Sequence, residues 1–389
     1  MLMWDGANFF AFRGAVQWIP NMEKTQSLKE RLDRFLNKQR VAMYKPIQVA
    51  EILYRVRLGL DGMNLDQIDN VEVYRNPSKH WRDTVSKMLI GQVSTSSQKF
   101  QDNLFEENAV PPSLLKQLAE VNNQFNGLVE RYIYQRFALR QKAIRRVYDY
   151  VKRVREASLD QFDLTRFLSL FRAESGLTRS IDKAYELVVY ALFSALLQQL
   201  RVKVQVSVDM AQSRLLEEFG DFTRVVLGID SQVPLREFHA GIYRAGVTNA
   251  ADRGLDLWGN FGPAVQVKHI SLSEEIAEDI ANEVRADEIV IVCKDAEAEV
   301  VRQVCEQLGQ RLRGIVRESD LVSWYQRALS PTWRDSLGKA LLDSLHRELQ
   351  MEFPFSETFE PFYKERGYDR IPKPDQPCAF WEADQWAEA

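Results

Sequence analysis

Between Gly254 and His269 the chain reads GLDLWGNFGPAVQVKH. Leu255 and Leu257 flank Asp256, and Val265 and Val267 alternate with Gln266 and Lys268. Side chains two apart on a strand share a face, so each short run has an apolar and a polar side. Two strands joined through Gly259 to Pro263 make a hairpin. Asp256 falls opposite Gln266 when the loop centred on Phe261 holds an odd number of residues, three or five. A carboxylate, an amide and an ammonium then converge on one patch. A carboxylate and an amide oxygen suit Mg²⁺, which takes one or two protein ligands and leaves places for water and phosphate. The ion neutralises charge on a scissile phosphate and activates water, while Lys268 orients the water and stabilises the transition state. The bland alternative is a solvated hairpin with a polar face.

The elements that position this patch change character along the chain. From Met22 to about Leu200 the pattern is helical, with Leu28, Leu32 and Phe35 marking one apolar stripe. Periodicity weakens between Asn70 and Pro112, which predicts loops and short helices. A long helix is predicted from Pro112 or Ser113 to Ala157, broken near Gly127. At RVKVQVSVD the spacing switches to strict alternation, the mark of a half-buried strand. Helices and strands then intermix: MAQSRLLEEF as a helix, GLDLW and PAVQVKHI as strands, a helix on Leu272, Ile276, Ile280 and Val284. The strand EIVIVC follows, then a helix on Val301, Val304, Leu308 and Leu312, and SDLVSWYQRAL. The expected organisation is an arm over 1–21, a helical DNA-binding and dimerisation region over 22–195, and an α/β catalytic domain over 196–330. A C-terminal helix with an irregular surface wrap covers 331–389.

With 389 residues, 45% hydrophobic and 27% charged, the chain has the balance of a globular protein. Its formal charge of −4 means that any nucleic-acid contact rests on a local patch. Cys293, Cys305 and Cys378 stand too far apart for a zinc motif or a disulfide framework, which fits a reducing cytoplasm. The longest apolar run, Leu187 to Leu197, is short of the roughly 20 residues that span a bilayer, so no membrane is expected. No phosphate-binding GxxxxGK[ST] loop occurs, so ATP-driven action would need another chain. No G-x-S-x-G is present, and His80 in SKHW lacks the partners of a histidine–metal nuclease.

The triad resembles the PD-(D/E)XK nuclease signature in its QxK form, as in Mrr-type enzymes. MYKPIQVAEILYR, YRNPSKHWRDTV, STSSQKFQDNLF and RAGVTNAADRGLDLW resemble the HaeII-like family of type II restriction endonucleases. That resemblance implies an α/β nuclease core, a central mixed sheet flanked by helices, carrying a large helical N-terminal region. It implies Mg²⁺-dependent cleavage of double-stranded DNA at a short palindromic site, RGCGCY in the family, with a companion DNA methyltransferase protecting the host. Two identical subunits would match two half-sites, which makes a homodimer the expected assembly. Gln266 stands where most of the superfamily has an acid, so a further acid is expected from elsewhere: Glu217 or Glu218, and then Asp252.

Candidate DNA contacts lie in three places. Arg131 to Arg155 is the most basic stretch, with Arg140 and Arg146 among its cations. Asn76 to Lys99 offers Lys79 and Arg82 on an expected loop, and Asn249 and Arg253 precede Asp256. The acidic stretch from Glu274 to Glu306 is expected to face solvent away from DNA. Two rivals remain: an Mrr-like nuclease that cuts modified DNA, and a DNA-binding protein with a decayed, non-catalytic nuclease fold.

Overall fold

The computed structural model describes residues 22–174, 176–245, 255–284, 286–355, 358–371 and 381. Eight helices come first: α1 (Met22–Asn37), α2 (Tyr44–Leu58), α3 (Val71–Ile90), α4 (Gln98–Asp102), α5 (Pro112–Gln124), α6 (Leu128–Ala157), α7 (Leu164–Ala173) and α8 (Ile181–Leu200). The break expected near Gly127 is present. Gly127 takes φ 101°, a conformation that side chains rarely adopt, and separates α5 from α6. The expected loops after Asn70 are instead the 20-residue α3. Its buried stripe runs through Tyr74, Ser78, Arg82, Val85 and Leu89, and two polar members disguise it as sequence. Both are satisfied by α2: Gln48 Nε2 donates to Ser78 Oγ at 2.8 Å, and Arg82 Nη1 donates to Gln48 Oε1 at 3.2 Å.

The RVKVQVSVD segment forms β1 (Lys203–Ser207), followed by α9 (Ser213–Glu218) and α10 (Gly220–Val226). β1 pairs antiparallel with β2 (Leu235–His239), in a ribbon apart from the main sheet. The five-stranded sheet is built from β3 (Ile242–Arg244), β4 (Leu257–Gly259) and β5 (Pro263–Val267), then α11 (Glu274–Glu283), β6 (Glu288–Cys293), α12 (Ala298–Leu308) and β7 (Leu312–Arg317). β3, β4 and β5 are antiparallel, and β5, β6 and β7 are parallel. Leu312, expected to end a helix, opens β7. Three helices complete the chain: α13 (Glu318–Ala328), α14 (Lys339–Glu352) and α15 (Phe359–Glu365).

Burial on the sheet alternates with period two. Val265, Val267, Val292 and Val316 pack into the core shared with α8, α13 and α14. Ala264, Ile289, Ile291 and Cys293 pack on the other face, with Ile280 of α11 and Val304 of α12. The sheet is thus covered on both sides, as parallel strands require.

A second large core lies wholly outside the sheet. It holds α1, α2, α3, α5 and the first half of α6, from Leu128 to Phe137. From Ala143 onward α6 belongs to the sheet's core, together with α7 and α8. The helical region expected over 22–195 is therefore divided between two cores, and α6 runs through both. Among the described residues of the C-terminal stretch, several aromatics are inside rather than draped on the surface. Phe362, Tyr368 and Trp381 are buried in the helical core, with Trp381 edge-on to Tyr132 at 5.5 Å between centroids. Among the described residues no helix is long and apolar enough to cross a membrane.

Trp381 is fully buried, so Trp381→Ala is expected to destabilise the protein by about 3–5 kcal/mol in urea unfolding. A residue merely draped on the surface would give under about 0.5 kcal/mol.

Candidate active site

The β4–β5 hairpin fixes the geometry. Leu257 pairs with Val265 and Trp258 with Ala264, so the loop is Asn260–Gly262, three residues. The paired register ends at Leu257, and the ladder is irregular at Asp256, whose N–H bonds Val265 O, so the expected pairing of Asp256 with Gln266 is not continued from the strand. Gly262, with φ 121°, closes the loop. Asp256 is held by backbone on both sides: its N–H donates to Val265 O at 3.3 Å, and Ala245 N–H donates to its carbonyl at 2.8 Å. Val267 N–H donates to the side-chain Oδ2 at 2.7 Å, and no described group bonds Oδ1. Burial pushes the Asp256 carboxyl above the usual carboxylate range. The Val267 N–H and the charges of Lys183 and Lys268 oppose that shift, and Asp182 adds to it.

Gln266 is 4% exposed, and its Oε1 has no hydrogen-bond donor. A buried carbonyl oxygen without a donor is costly, and it is also a ready cation ligand. Lys268 follows β5 at the sheet's edge, its N–H donating to Val292 O at 2.8 Å. Among the described residues its ammonium makes no ion pair, so it is available to a substrate. Trp258 stacks on Tyr243 at 4.7 Å, and both rings are nearly half exposed.

Sequence reasoning missed Glu186. It sits on α8, immediately before the apolar run Leu187 to Leu197. Lys183 Nζ donates to its two oxygens at 2.6 and 2.7 Å. Arg244, ending β3, approaches it at 3.8 Å and also pairs with Glu348 at 3.3 Å and Glu352 at 2.5 Å, both on α14. Burial pushes the Glu186 carboxyl up to about 7. Lys183 and Arg244 pull it down, and the charge of Asp256 pushes it up. Asp256, Glu186, Glu348 and Glu352 thus outnumber Lys183 and Arg244 in a largely buried cluster. The signal in the sequence was three charges, Asp182, Lys183 and Glu186, at the start of an otherwise apolar helix.

The other candidate residues are dispersed. Glu218 is exposed at the end of α9, and no hydrogen bond or ion pair among the described residues links it to Asp256. Burial takes Arg82 and Arg140 out of reach of DNA, at 1% and 2% exposure. Arg82 bonds Gln48 and Asp83. Arg140 donates to Leu36 O at 2.6 Å and Arg40 O at 3.2 Å, at and beyond the C-terminal end of α1. Burial, with the nearby charge of Arg136, lowers its guanidinium to about 9. Lys79 is paired with Asp102 at 2.6 Å, and Arg146, exposed, is paired with Glu174 at 2.7 Å. Asn249, Asp252 and Arg253 lie outside the described residues. No group of three or more acids, histidines or cysteines among the described residues could hold a metal ion together. A cation here would rest on few protein ligands, Asp256 and the Gln266 oxygen among them.

The family model for the HaeII restriction endonuclease matches residues 28–368. The chain belongs to the HaeII restriction endonuclease family. It is 45% identical over 353 residues to the type II restriction enzyme HaeII of Haemophilus aegyptius, covering 90% of this chain and 98% of that protein. It is 47% identical over 351 residues to the type II restriction enzyme NgoBI of Neisseria gonorrhoeae, covering 88% and 97%. No solved structure matches the chain. By this membership the protein is a type II restriction endonuclease.

A carboxyl group that folding raises binds its proton more tightly in the native state, so stability falls as pH climbs through the interval between the unfolded and folded values. For Glu186 that interval runs from 4.5 to about 7. In metal-free buffer the native protein is expected to lose on the order of 3 kcal/mol across it relative to Glu186→Gln. Parallel urea curves of the two proteins from pH 5 to pH 8 would show no such divergence if Glu186 were already ionised at pH 5.

Proposed function

We propose that this restriction endonuclease cuts double-stranded DNA by Mg²⁺-dependent phosphodiester hydrolysis at a PD-(D/E)XK-type centre formed by Asp256, Gln266 and Lys268. The observation that supports the reading is the buried Asp256 carboxylate just before β4, its Oδ2 held by Val267 N–H, with Lys268, whose ammonium has no ion pair among the described residues, next in the chain after Val267. The donor set fits the metal: a carboxylate with one oxygen held and the other without a described partner, and a buried amide oxygen without a donor. Bound Mg²⁺ would supply Lewis acidity at the scissile phosphate. Glu186, rather than Glu218, is the acid best placed to supplement Asp256.

The chain's own groups divide the work. Val267 N–H orients the Asp256 carboxylate, and the Lys183 ammonium orients Glu186. Lys268 holds the attacking water by hydrogen bonding and offsets negative charge growing on the phosphate. The Tyr243–Trp258 pair offers an aromatic surface against which sugar rings can pack. In the proposed setting the protein works in the cytoplasm as a homodimer on a palindromic site, RGCGCY by family, alongside a methyltransferase that blocks cleavage. The likeness to Mrr-type enzymes is confined to the QxK triad, whereas the HaeII family match spans 28–368.

Digestion of unmethylated phage DNA with purified protein is expected to give discrete bands in Mg²⁺ and none in EDTA, and end sequencing would name the site. Lys268→Ala is expected to lower the cleavage rate by about 10²–10³-fold. Cutting of methylated DNA alone, or DNA binding without any cleavage, would overturn the reading. Gln266→Glu should alter the Mg²⁺ concentration needed for half-maximal rate; an unchanged requirement would remove Gln266 from the metal's surroundings.

A further inference from the structure

The β1–α9–α10–β2 segment buries little of its own apolar surface. Between Leu200 and Leu235 the buried hydrophobic residues are Leu216 and Ile229. Met210, Phe219, Phe222, Val225, Val226 and Val233 stand 49–85% exposed. Phe219, Phe222 and Val226 follow one another at three- and four-residue spacing, and Val225 adjoins them. That is the apolar stripe of a helix that packs against something. Yet α10 has no buried residue. The ribbon it interrupts is two strands wide, with every residue of β1 and β2 exposed or half-buried. A two-stranded ribbon alone is marginal in water, and monomers rarely leave so large an apolar patch uncovered.

We propose that this arm is the surface through which a second copy of the chain docks. Charge argues against DNA as the occupant. From Arg201 to Glu237 the segment carries five basic residues (Arg201, Lys203, Arg214, Arg224, Arg236) against six acids (Asp209, Glu217, Glu218, Asp221, Asp230, Glu237), a nearly neutral surface of mixed sign. A polyanion needs a basic patch, whereas a mixed surface can meet itself across a two-fold axis. Area agrees. Six large apolar side chains contribute roughly 100 Å² each. With their neighbours they approach the roughly 800 Å² per partner of a stable interface. The arm is also joined to the active hairpin. Asn260, in the β4–β5 loop, accepts from Gly241 N–H at 2.8 Å and donates to His239 O at 3.1 Å, at the arm's root. A dimer made here would tie the two Asp256 hairpins to one axis, which deepens the homodimer of the proposed function.

Analytical ultracentrifugation of the full-length protein, without DNA or Mg²⁺, tests this apart from any cleavage. At about 10 µM the wild-type chain is expected to sediment at twice its 45.1 kDa mass. The double variant Phe222→Glu, Val225→Glu is expected to raise the dimer dissociation constant at least about a hundredfold, with the far-ultraviolet circular dichroism of the wild type. Leu58→Glu, altering an exposed apolar residue on α2, should leave the dimer intact. A monomeric wild-type protein, or a dimer that the double variant does not weaken, overturns the proposal. A stable dimer that cuts nothing would instead count against the nuclease reading alone.

Discussion

The structure turns on the pairing register of a short hairpin. Val265 and Val267 are buried against the helical layer that contains α8, so β5 can present its faces in only one way. A slip of one residue would turn Gln266 toward that core and move the valines to the opposite face, where Ala264, Ile289 and Ile291 pack under α11 and α12. The three-residue loop at Asn260–Gly262 locks the same register from the other end. Once β4 and β5 are paired this way, Asp256 stands just before β4 with its Oδ2 on Val267 N–H, and Lys268 follows β5. Everything else in the domain serves to hold that hairpin between two layers of helices.

Electrostatics takes two forms around this frame. In the helical core, arginines of α6 work as structural donors. Arg136 bonds Asp33 at 2.8 Å and Asn37 at 2.7 Å, and Arg140 bonds carbonyls at and beyond the end of α1. A guanidinium there satisfies acceptors that a helix end leaves unpaired. At the sheet the balance reverses, and acids exceed bases around Asp256 and Glu186. Burial raises both carboxyl groups, and a neighbouring acid adds to each, Asp182 for Asp256 and Asp256 for Glu186. Restriction endonuclease chemistry has to offset that negative charge, because a phosphate approaching bare carboxylates would be repelled.

The legible and illegible parts of the chain differ by a physical rule. Segments whose pattern is carried by their own residues were readable: the 112–157 helix pair, the hairpin, the alternation of β1 and the apolar run of β6. Helix α3 was not, because its buried Ser78 and Arg82 are paid for by Gln48, thirty residues away and on another helix. The basic run in α6 looked like a DNA-binding face, but Arg131, Arg136 and Arg140 are buried. Charge along a sequence does not reveal which side of a helix meets a neighbour. Glu186 was hidden for the converse reason, standing at the head of an apolar run, where Lys183 of the same helix is joined by Arg244 of β3 and by Asp256 just before β4.

By itself the sequence carried the family and the reaction class through its resemblance to the HaeII-like restriction enzymes, and the alternation of Gln266 and Lys268 with Val265 and Val267 through strand periodicity, which is a local property. Tertiary structure alone decided which acid stands near Asp256, which arginines stay available to DNA, and that the C-terminal aromatics complete the helical core. Those outcomes depend on burial and on contacts between residues far apart in the chain. Trp381 against Tyr132 and Arg244 against Glu352 are joined only when separate elements pack, and packing is set by the sum of all the faces rather than by any one of them.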